Sequence, residues 1–415
     1  MSDKLAIFGG EPVRKESYPK WPIFTEKDKQ DLVVVLDDGR MTSITGPKVK
    51  EFEEKFANKF GVKYALAAAS GVTAIHLALA SLEIGPGDEV LVPAHTFIGT
   101  AIPVLMANAI PIFVDIDEDT FNIDVTKIES AITNKTRAIM PVHLNGLCAE
   151  MDEILRLAKK YNLFVIEDAC QAHGGYYKGK MAGTIGDIGC FSFFEDKVMT
   201  TGEGGMLITN NERFYNLARC VSSYGEEVVK NIGERKYEHI MLGFNYRMGS
   251  LNAAIGINQL DRLEEMVEKR NRNASYLIKN LENEDGIITP KKFDYCKNAF
   301  YKFVCRINRK LISVELETFI DAIKAEGIAV TPRYPKPLPL QKVFREKKGY
   351  GKTDCPFSCE KYGKEIDYSK GSWPVAEQVG KDAFVLLIHP SVEEKDLAQV
   401  VQAVKKVSSY YKEKK

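Results

Sequence analysis

The feature that most constrains the fold is an alternation of apolar, strand-like runs with amphipathic helical patterns between residues 48 and 210. The predicted strands are 64–69, 89–94, 110–116, 137–144, 163–169, 188–194 and 205–209. Apolar strands separated by helices are typical of a mainly parallel sheet covered on both faces. Right-handed crossovers place the strand-to-helix loops of such a sheet at one edge, where ligands bind. We therefore predict an α/β fold with its site at that edge.

The pattern changes in the second half of the chain. Residues 245–283 predict a long amphipathic helix that leads into a smaller α+β domain. Residues 335–385, rich in Pro, Gly, Lys and Tyr, predict long loops near a site. A chain of 415 residues suits two domains. We divide it into residues 1–260, an α/β domain with an N-terminal arm, and residues 261–415, the linking helix and the small C-terminal domain.

Charge and hydropathy exclude several classes of protein. Lys plus Arg and Asp plus Glu both number 57, so no net charge points to nucleic acid or an anionic membrane. The N-terminus has no apolar segment typical of a secretory signal. Residues 90–114 carry no charged side chain and are long enough to span a bilayer, but their prolines favour a buried strand, helix and strand. We predict a cytoplasmic protein without a membrane or nucleic-acid partner.

The eight cysteines form no CxxC motif and no framework typical of disulfides, which favours a reduced protein. Cys355 and Cys359, in "CPFSC", could ligate a metal ion, but no second pair of ligands accompanies them. We therefore predict no metal site.

The stretch "AAASGVTAIHLAL" takes a predicted strand through Ser70 and Gly71 into a helix that begins at about Val72 or Thr73. Free N–H groups and the helix dipole make such a start suitable for an anion, particularly phosphate. Ordinary helix capping by Ser70 explains the same residues without any ligand.

The stretch "FVIEDACQAHGG" places Glu167 and Asp168 at the end of a buried strand. A carboxylate there is costly unless it has a partner. One interpretation is a helix N-cap. The other is a partner for a protonated heteroaromatic nitrogen. His173, a few residues later, is explained equally well as a buried polar residue with its hydrogen bonds satisfied.

Lys197 lies between the aromatic run "CFSFF" and the glycine-rich "GEGG". Alone, it would be interpreted as a solvated lysine in a loop. A lysine amine can also form a Schiff base with an aldehyde cofactor. Together, the three stretches supply a phosphate site, a carboxylate for a ring nitrogen and an amine for an aldehyde. Those are the groups that hold pyridoxal phosphate.

Four motifs, "SGVTAIHLAL", "VIEDACQAHG", "SFFEDKVMTTGEGGM" and "GFNYRMGSLNAAIG", resemble the DegT/DnrJ/EryC1/StrS aminotransferases, and the likeness covers nearly the whole chain. The resemblance implies a fold-type-I pyridoxal-phosphate transferase. Its mainly parallel, seven-stranded sheet is expected to lie between helices, with a smaller C-terminal α+β domain.

The resemblance also implies roles for individual residues. Lys197 is expected to bind the cofactor and later to shuttle a proton, while Asp168 keeps the pyridine nitrogen protonated. Gln171 is expected to bond the phenolic oxygen, and Phe97 to stack on the ring with Cys170 on the opposite side. The residues expected at the phosphate are Gly71, Val72, Thr73 and Ser192.

Three further residues complete the expected site. Asn245 matches a position that reaches the phosphate from the other subunit, which implies a homodimer with shared sites. Arg247 and Tyr334 are expected to contact the substrate, and the guanidinium fork of Arg247 suits a carboxylate. The chain departs from the family's commoner pattern at Val72, at "NYRMGS" and at Pro339. These departures concern mostly the acceptor side of the site.

The predicted reaction is a ping-pong transamination that cycles the cofactor through pyridoxamine phosphate. The expected donor is L-glutamate or L-glutamine. The expected acceptor is a nucleotide-linked keto-sugar or a keto-cyclitol such as scyllo-inosose, because "GGEPVRKESYPKWPIF" and "CPFSCEKYGKEIDYSKGSWPVAE" resemble the cyclitol branch.

The alternatives are a dehydratase, an enzyme like 3-amino-5-hydroxybenzoate synthase, or a non-catalytic regulator that binds the cofactor. Dehydratases of the family replace the lysine with histidine, so Lys197 favours transamination. A nicotinamide-dependent dehydrogenase is disfavoured because no GxGxxG opens the first βα unit.

Overall fold

Helices and strands alternate along most of the chain. The computed structural model describes residues 4–227 and 237–412. The helices in these ranges are α1 (Glu26–Asp38), α2 (Lys48–Phe60), α3 (Gly71–Ser81), α4 (Ile102–Met106), α5 (Val125–Ala131), α6 (Met151–Tyr161), α7 (Glu212–Ser222), α8 (Ser250–Asp261), α9 (Leu263–Leu281), α10 (Leu316–Ala325), α11 (Lys342–Arg345), α12 (Pro374–Asp382) and α13 (Glu394–Tyr411). The strands are β1 (Tyr64–Ala68), β2 (Glu89–Pro93), β3 (Ile110–Val114), β4 (Thr136–Ile139), β5 (Phe164–Asp168), β6 (Tyr176–Tyr177), β7 (Lys180–Met181), β8 (Ile188–Ser192), β9 (Gly205–Thr209), β10 (Ile287–Ile288), β11 (Cys296–Lys297), β12 (Phe303–Ile307), β13 (Val330–Pro332) and β14 (Ala383–Leu386).

Seven strands form one large sheet in the order β1-β9-β8-β5-β4-β2-β3. Neighbours from β3 across to β8 are parallel, whereas β9 is antiparallel to both β8 and β1. Because the connection from β8 to β9 contains no helix, β9 returns beside β8 in the opposite direction. Apolar clusters that include Ile75 of α3 on one side and Phe52 of α2 on the other flank the sheet. The predicted sheet between helices is confirmed.

A second, antiparallel sheet of order β10-β12-β14-β13 lies in the C-terminal part. Its core includes Phe319 of α10, Phe384 of β14 and Val400 of α13, together with Leu5 from the N-terminal arm. A small third sheet, β11-β6-β7, pairs this part with residues 176–181. The smaller C-terminal α+β region is confirmed, and the boundary placed between residues 260 and 261 stays a prediction.

The predicted helix over residues 245–283 differs from the structure in two ways. Residues 243–249 precede the helix, and Ala69 N donates to Tyr246 O (2.7 Å). The helix then begins at Ser250 and is interrupted at Arg262, so that it forms α8 and α9. Buried residues on α8 pack against α1 and α2. This packing fixes the direction of the α8 axis, which the amphipathic pattern alone does not determine.

Residues 335–385 are more ordered than the predicted long loops, since they include α11, α12 and β14. Their aromatic side chains pack against β3. Tyr368 Oη donates to Pro111 O (2.8 Å), and Trp373 Nε1 donates to Phe113 O (3.0 Å). The aromatic side chains of the segment therefore belong to the hydrophobic core. The proline and glycine content had instead predicted loops.

The uncharged stretch 90–114 forms β2, a short 3-10 helix at Ile98–Thr100, α4 and β3. This agrees with the predicted strand, helix and strand. Within residues 4–227 and 237–412, no helix combines the length and the apolar character needed to cross a bilayer.

Candidate active site

Helix α3 begins directly after β1, at the carboxyl edge of the large sheet. Ser70 caps it: Ser70 Oγ accepts from Thr73 N (3.2 Å), and the Thr73 hydroxyl accepts from Ser70 N (2.9 Å). The Thr73 hydroxyl also donates to Ser70 O (2.8 Å) and is thus engaged within the cap. The cap leaves the N–H groups of Gly71 and Val72 beyond the reach of partners inside the helix. Both the capping and the anion interpretations are therefore compatible with this helix start.

Gly71 brings three predicted site residues into contact. A Cβ atom at Gly71 would lie 2.7 Å from Ser192 Cβ and 3.0 Å from Cys170 Sγ. Only glycine permits this approach, because both distances are shorter than ordinary van der Waals contact. Ser192 ends β8 and is half-buried, so its hydroxyl lies beside the first turn of α3.

Asp168 is the last residue of β5 and is 4% exposed. Its Oδ2 accepts from the Thr100 hydroxyl (2.7 Å), and its Oδ1 accepts from Cys170 N (3.2 Å). Thr100 Oγ1 lies 3.3 Å from Thr96 Oγ1 in turn. The carboxylate is therefore held in one orientation while retaining lone pairs for a further partner.

Lys197 lies in the loop between β8 and β9 with a half-buried side chain. Its Nζ is 4.5 Å from the centre of the Tyr301 ring. Burial lowers the pKa of the Lys197 amine. The charge of Arg333 lowers this pKa further, whereas Cys170, Asp196 and Asp168 oppose the shift. A lowered pKa increases the fraction of neutral amine, which is the nucleophilic form.

Gln171 belongs to a hydrogen-bonded group at the same edge. Its Oε1 accepts from Arg333 Nη2 (2.6 Å) and from Asn145 N (3.1 Å), and its Nε2 donates to Tyr334 Oη (3.3 Å). The Arg333 guanidinium lies 4.0 Å from the centre of the Tyr334 ring. The bond from Arg333 fixes which end of the Gln171 amide is the oxygen, because the amide nitrogen cannot accept a hydrogen bond.

Phe97 precedes the short helix that carries Thr100. Its ring is 53% exposed, which is unusual for a side chain of this size, and lies 6.4 Å from the Tyr334 ring. A Cβ at Gly99 would approach both Phe97 Cδ1 (2.8 Å) and Val72 Cγ2 (3.1 Å). Phe97 therefore lies between the start of α3 and Tyr334, with an uncovered ring face.

Asn245 and Arg247 lie on a segment that runs beside the end of β1, where Arg247 bridges to Ala68. Asn245 is exposed and forms a bridge with Ser223. Arg247 Nη1 donates to Ser223 Oγ (3.0 Å), and its guanidinium lies 5.0 Å from the centre of the Tyr224 ring. Among hydrogen bonds of the described residues, none joins either of them to the group around Lys197, so their predicted roles stay predictions.

Comparison with known proteins identifies the family. The sequence profile of the DegT/DnrJ/EryC1/StrS aminotransferase family matches residues 22–366. The chain belongs to this family. It is therefore an aminotransferase of fold type I, as predicted from the four motifs.

Relatives of this aminotransferase differ in the substrates that their names give. One from Micromonospora echinospora, provisionally named an L-glutamine:3-amino-2,3-dideoxy-scyllo-inosose aminotransferase, is 35% identical over 98% of this chain and 97% of its own. The GDP-perosamine synthase of Caulobacter vibrioides is 36% identical over 92% of this chain and 95% of its own.

A solved structure supports the same fold. The PLP form of a protein from Streptococcus pneumoniae, provisionally named a sugar aminotransferase, superposes with a TM-score of 0.82 and is 26% identical. The match covers 96% of this chain and 100% of that one.

Four residues of the candidate site were missed from the sequence: Thr100, Asn145, Tyr301 and Arg333. Thr100 lies in "HTFIGT" and Arg333 directly precedes Tyr334, so both are adjacent to residues that were singled out. Tyr301 Oη donates to Asp196 Oδ1 (2.7 Å), and Lys302 Nζ donates to Asp196 Oδ2 (2.9 Å). No local signal marks Tyr301 or Asn145, because both reach the site through tertiary folding.

His173 does not meet the expectation of a satisfied polar residue. It is fully buried beside Phe191 and Phe193, and neither ring nitrogen has a hydrogen-bond partner among the described residues. Burial lowers its pKa to about 3, with the charge of Lys197 acting in the same direction and the Ser192 backbone opposing it.

The part of the chain that the structure describes contains no group of three or more His, Cys, Asp or Glu side chains arranged to hold a metal ion. All eight cysteines are free thiols.

Proposed function

We propose that this aminotransferase uses pyridoxal phosphate to move an amino group from L-glutamate or L-glutamine to a ketone on a nucleotide-linked sugar or a cyclitol. The observation that carries the proposal is the setting of Lys197. Its amine, with a lowered pKa, shares one edge of the large sheet with the buried Asp168 carboxylate and the start of α3. An amine, a carboxylate and an anion site in one place match the three groups of the cofactor.

The residues present fit the cofactor. Gly71 leaves room between Ser192 and Cys170 that any side chain would fill, and the N–H groups at the start of α3 suit its phosphate. Asp168 keeps lone pairs for a protonated ring nitrogen, and Gln171 lies within the same cluster for the phenolic oxygen. The exposed face of Phe97 is available to stack on the ring.

When bound, pyridoxal phosphate supplies an aldehyde for the donor's amine and a ring that withdraws the electron pair left by the α-proton. The chain supplies the proton transfers. The Lys197 Nζ accepts the proton from the donor's α-carbon, because a neutral amine is a base and its lowered pKa increases the neutral fraction. Asp168 favours the protonated ring nitrogen by its charge.

The names of two relatives support the proposed acceptor and donor. One relative is named for an amino-cyclitol ketone with L-glutamine as donor and another for GDP-perosamine, and this chain matches both over nearly its whole length. The shared chemistry is a ring ketone that bears hydroxyl groups. We keep the nucleotide-linked sugar and the cyclitol as the two acceptor classes.

We also propose a homodimer in which Asn245 of one subunit reaches the phosphate of its partner. The exposed position of Asn245 supports this arrangement. No hydrogen bond of the described residues joins Asn245 to the group around Lys197. Large apolar side chains are exposed on α1, where Val33, Val34 and Leu36 are each more than half exposed, and Leu242 is 80% exposed. Apolar surface of this extent commonly marks an interface between subunits.

The rival functions make different products. A dehydratase would remove a ring hydroxyl, and an enzyme like 3-amino-5-hydroxybenzoate synthase would form an aromatic ring. A non-catalytic regulator would bind the cofactor without consuming a donor. The presence of Lys197 favours transamination over dehydration, because dehydratases of the family replace this lysine with histidine.

The test is a visible absorption spectrum of the purified protein with pyridoxal phosphate, before and after L-glutamate or L-glutamine is added. We expect a visible band that disappears when the donor converts the cofactor to its amine form. The Lys197→Ala variant should lack this band. A band that persists with both donors would contradict the proposed half-reaction. If the band disappears, product analysis with a keto-cyclitol and a nucleotide keto-sugar distinguishes the acceptors.

A further inference from the structure

Arg333 is a buried cation whose hydrogen-bond partners carry no charge. Its side chain is 7% exposed. Nε donates to Asn145 Oδ1 (2.8 Å), and Nη2 donates to Gln171 Oε1 (2.6 Å). No carboxylate of the described residues forms an ion pair with it. Burial of a charge without an opposite charge is costly, so a site that retains one is suited to receive an anion.

Two other buried arginines show what distinguishes Arg333. Arg14 is also buried, and it pairs with Asp396 (2.7 Å). Arg270 has no carboxylate partner within the described residues either, but its Nη1 donates to Tyr301 O (3.1 Å) and its unpaired Nε is fully enclosed. Arg333 Nη1 donates to no atom of the described chain and is not enclosed. This nitrogen can therefore meet a ligand.

The guanidinium of Arg333 lies near the reactive amine. The Tyr301 ring adjoins both groups, since its centre is 4.5 Å from Lys197 Nζ and 5.8 Å from the Arg333 guanidinium carbon. Asp196 accepts from Tyr301 and Lys302, and Asp168 accepts from Thr100, but neither carboxylate forms a hydrogen bond or an ion pair with Arg333 among the described residues. Arg333 therefore has no charged partner among the described residues, although it lies beside the same ring as Lys197.

We propose that Arg333 binds the α-carboxylate of the amino donor, an inference that rests on the proposed transamination. An α-amino acid carries its amine and its carboxylate on one carbon, so a cation near Lys197 is suitably placed for the carboxylate when the amine reacts. Asn145 and Gln171 fix the guanidinium plane and leave the Nη1 edge open. A planar guanidinium binds carboxylates with charge-assisted hydrogen bonds. The donor class is therefore α-amino acids, with simple amines disfavoured.

The first experiment measures the donor half-reaction of the cofactor-loaded protein. It compares the donor that the wild type consumes with its decarboxylated counterpart, which is 4-aminobutanamide for glutamine and 4-aminobutanoate for glutamate. Arg333→Gln should lower kcat/KM for the amino acid about 100-fold, because the buried charged partner is lost. The rate with the decarboxylated amine should change by less than about 3-fold. Arg333→Lys should restore part of the loss, since it keeps the charge without the fork.

Arg137→Gln is the matched control, because Arg137 is an exposed arginine near Asp88 and should leave both rates unchanged. Arg247→Gln tests the competing carboxylate site. If Arg247→Gln removes the preference for the amino acid and Arg333→Gln does not, the proposal is overturned. Equal losses for both amines in Arg333→Gln would also overturn it and would leave Arg333 as a residue that only positions Gln171.

The second experiment does not depend on turnover. Calorimetry of the cofactor-loaded protein measures binding of 5-amino-5-oxopentanoate, which has the carboxylate of glutamine but no amine. We expect binding to the wild type and to Arg137→Gln and a loss of at least about 30-fold in Arg333→Gln. Unchanged binding in Arg333→Gln would contradict the carboxylate role. If the wild type consumed no donor, the proposed function would fail, and this measurement would still decide the role of Arg333.

Discussion

Glu167 and Asp168 are adjacent carboxylates at the end of β5, and they face opposite sides of the large sheet. Glu167 is completely paired: Oε2 accepts from His143 Nε2 (2.8 Å) and Gly183 N (2.8 Å), and Oε1 accepts from Ile185 N and Gly186 N (both 2.6 Å). Asp168 accepts only from Thr100 Oγ1 and Cys170 N among the described residues. Both residues are buried.

The difference separates a structural carboxylate from one that is available to a ligand. Four donors use the capacity of Glu167 and fix the loop that carries Gly183 to Gly186. Asp168 is oriented but keeps unused lone pairs on the side of the sheet where α3 begins. Burial alone does not distinguish the two, whereas the count of hydrogen-bond donors does.

The largest effect on stability is expected for Glu167→Gln. The new amide places hydrogens against backbone N–H groups and leaves buried donors unpaired. We expect a loss of about 2–6 kcal/mol in the free energy of unfolding, because the amide nitrogen leaves two buried donors unpaired at about 1–3 kcal/mol each. Urea unfolding of the cofactor-free protein measures it. A loss below about 1 kcal/mol would show that Glu167 is not a structural anchor.

Asp168→Asn should lower activity and leave stability nearly unchanged, in contrast to Glu167→Gln. The amide can still accept from Thr100, so the fold should be retained, but the negative charge opposite the ring nitrogen is lost. We expect the donor half-reaction to slow about 100-fold or more, as when a preorganised electrostatic partner is removed. Stopped-flow absorbance measures the rate. If Asp168→Asn unfolds the protein while Glu167→Gln stays active and stable, the comparison between the two carboxylates is reversed.

Thr100→Val removes the hydroxyl that orients Asp168. A hydrogen bond to a charged group contributes about 1.5–3 kcal/mol, so we expect the half-reaction to slow about 10-fold with a stable fold. Thr96→Val is the matched control, since Thr96 contacts Thr100 and forms no described hydrogen bond to Asp168. Equal losses in the two variants would indicate a general packing defect in place of an effect through the carboxylate.

The smallest effect concerns His173 and pH. Its folded-state pKa of about 3 lies below the ordinary value of about 6.5. Between these values the unfolded chain binds a proton that the folded chain does not, so stability decreases as pH falls, by up to about 1.4 kcal/mol per pH unit. His173→Phe should remove this contribution, because the ring lies among aromatic side chains. Unfolding free energies at pH 7 and pH 5 measure the slope; the same slope in both proteins would contradict the assignment.

The sequence was informative where local pattern decides structure. The strands of the large sheet and the stretches around Gly71, Asp168 and Lys197 were predicted because each combines an apolar run with a polar or glycine-rich end. The break of the long helix at Arg262 was not predicted, since it depends on how α8 packs against α1 and α2. Tyr301 and Arg333 were missed because they come from the C-terminal part and meet Lys197 only through tertiary contacts.

The strand order of the large sheet has a consequence for the folding rate. β1 pairs with β9, with Tyr64 opposite Thr209, so two strands far apart in the chain are neighbours in the sheet. Sheets with such distant pairings fold slowly, because loop closure must precede the contacts that stabilise it. A ligand that binds only the folded chain shifts the equilibrium by mass action. Cofactor supplied during refolding should therefore increase the final yield of native protein, while the early phases of folding proceed at the same rate without it.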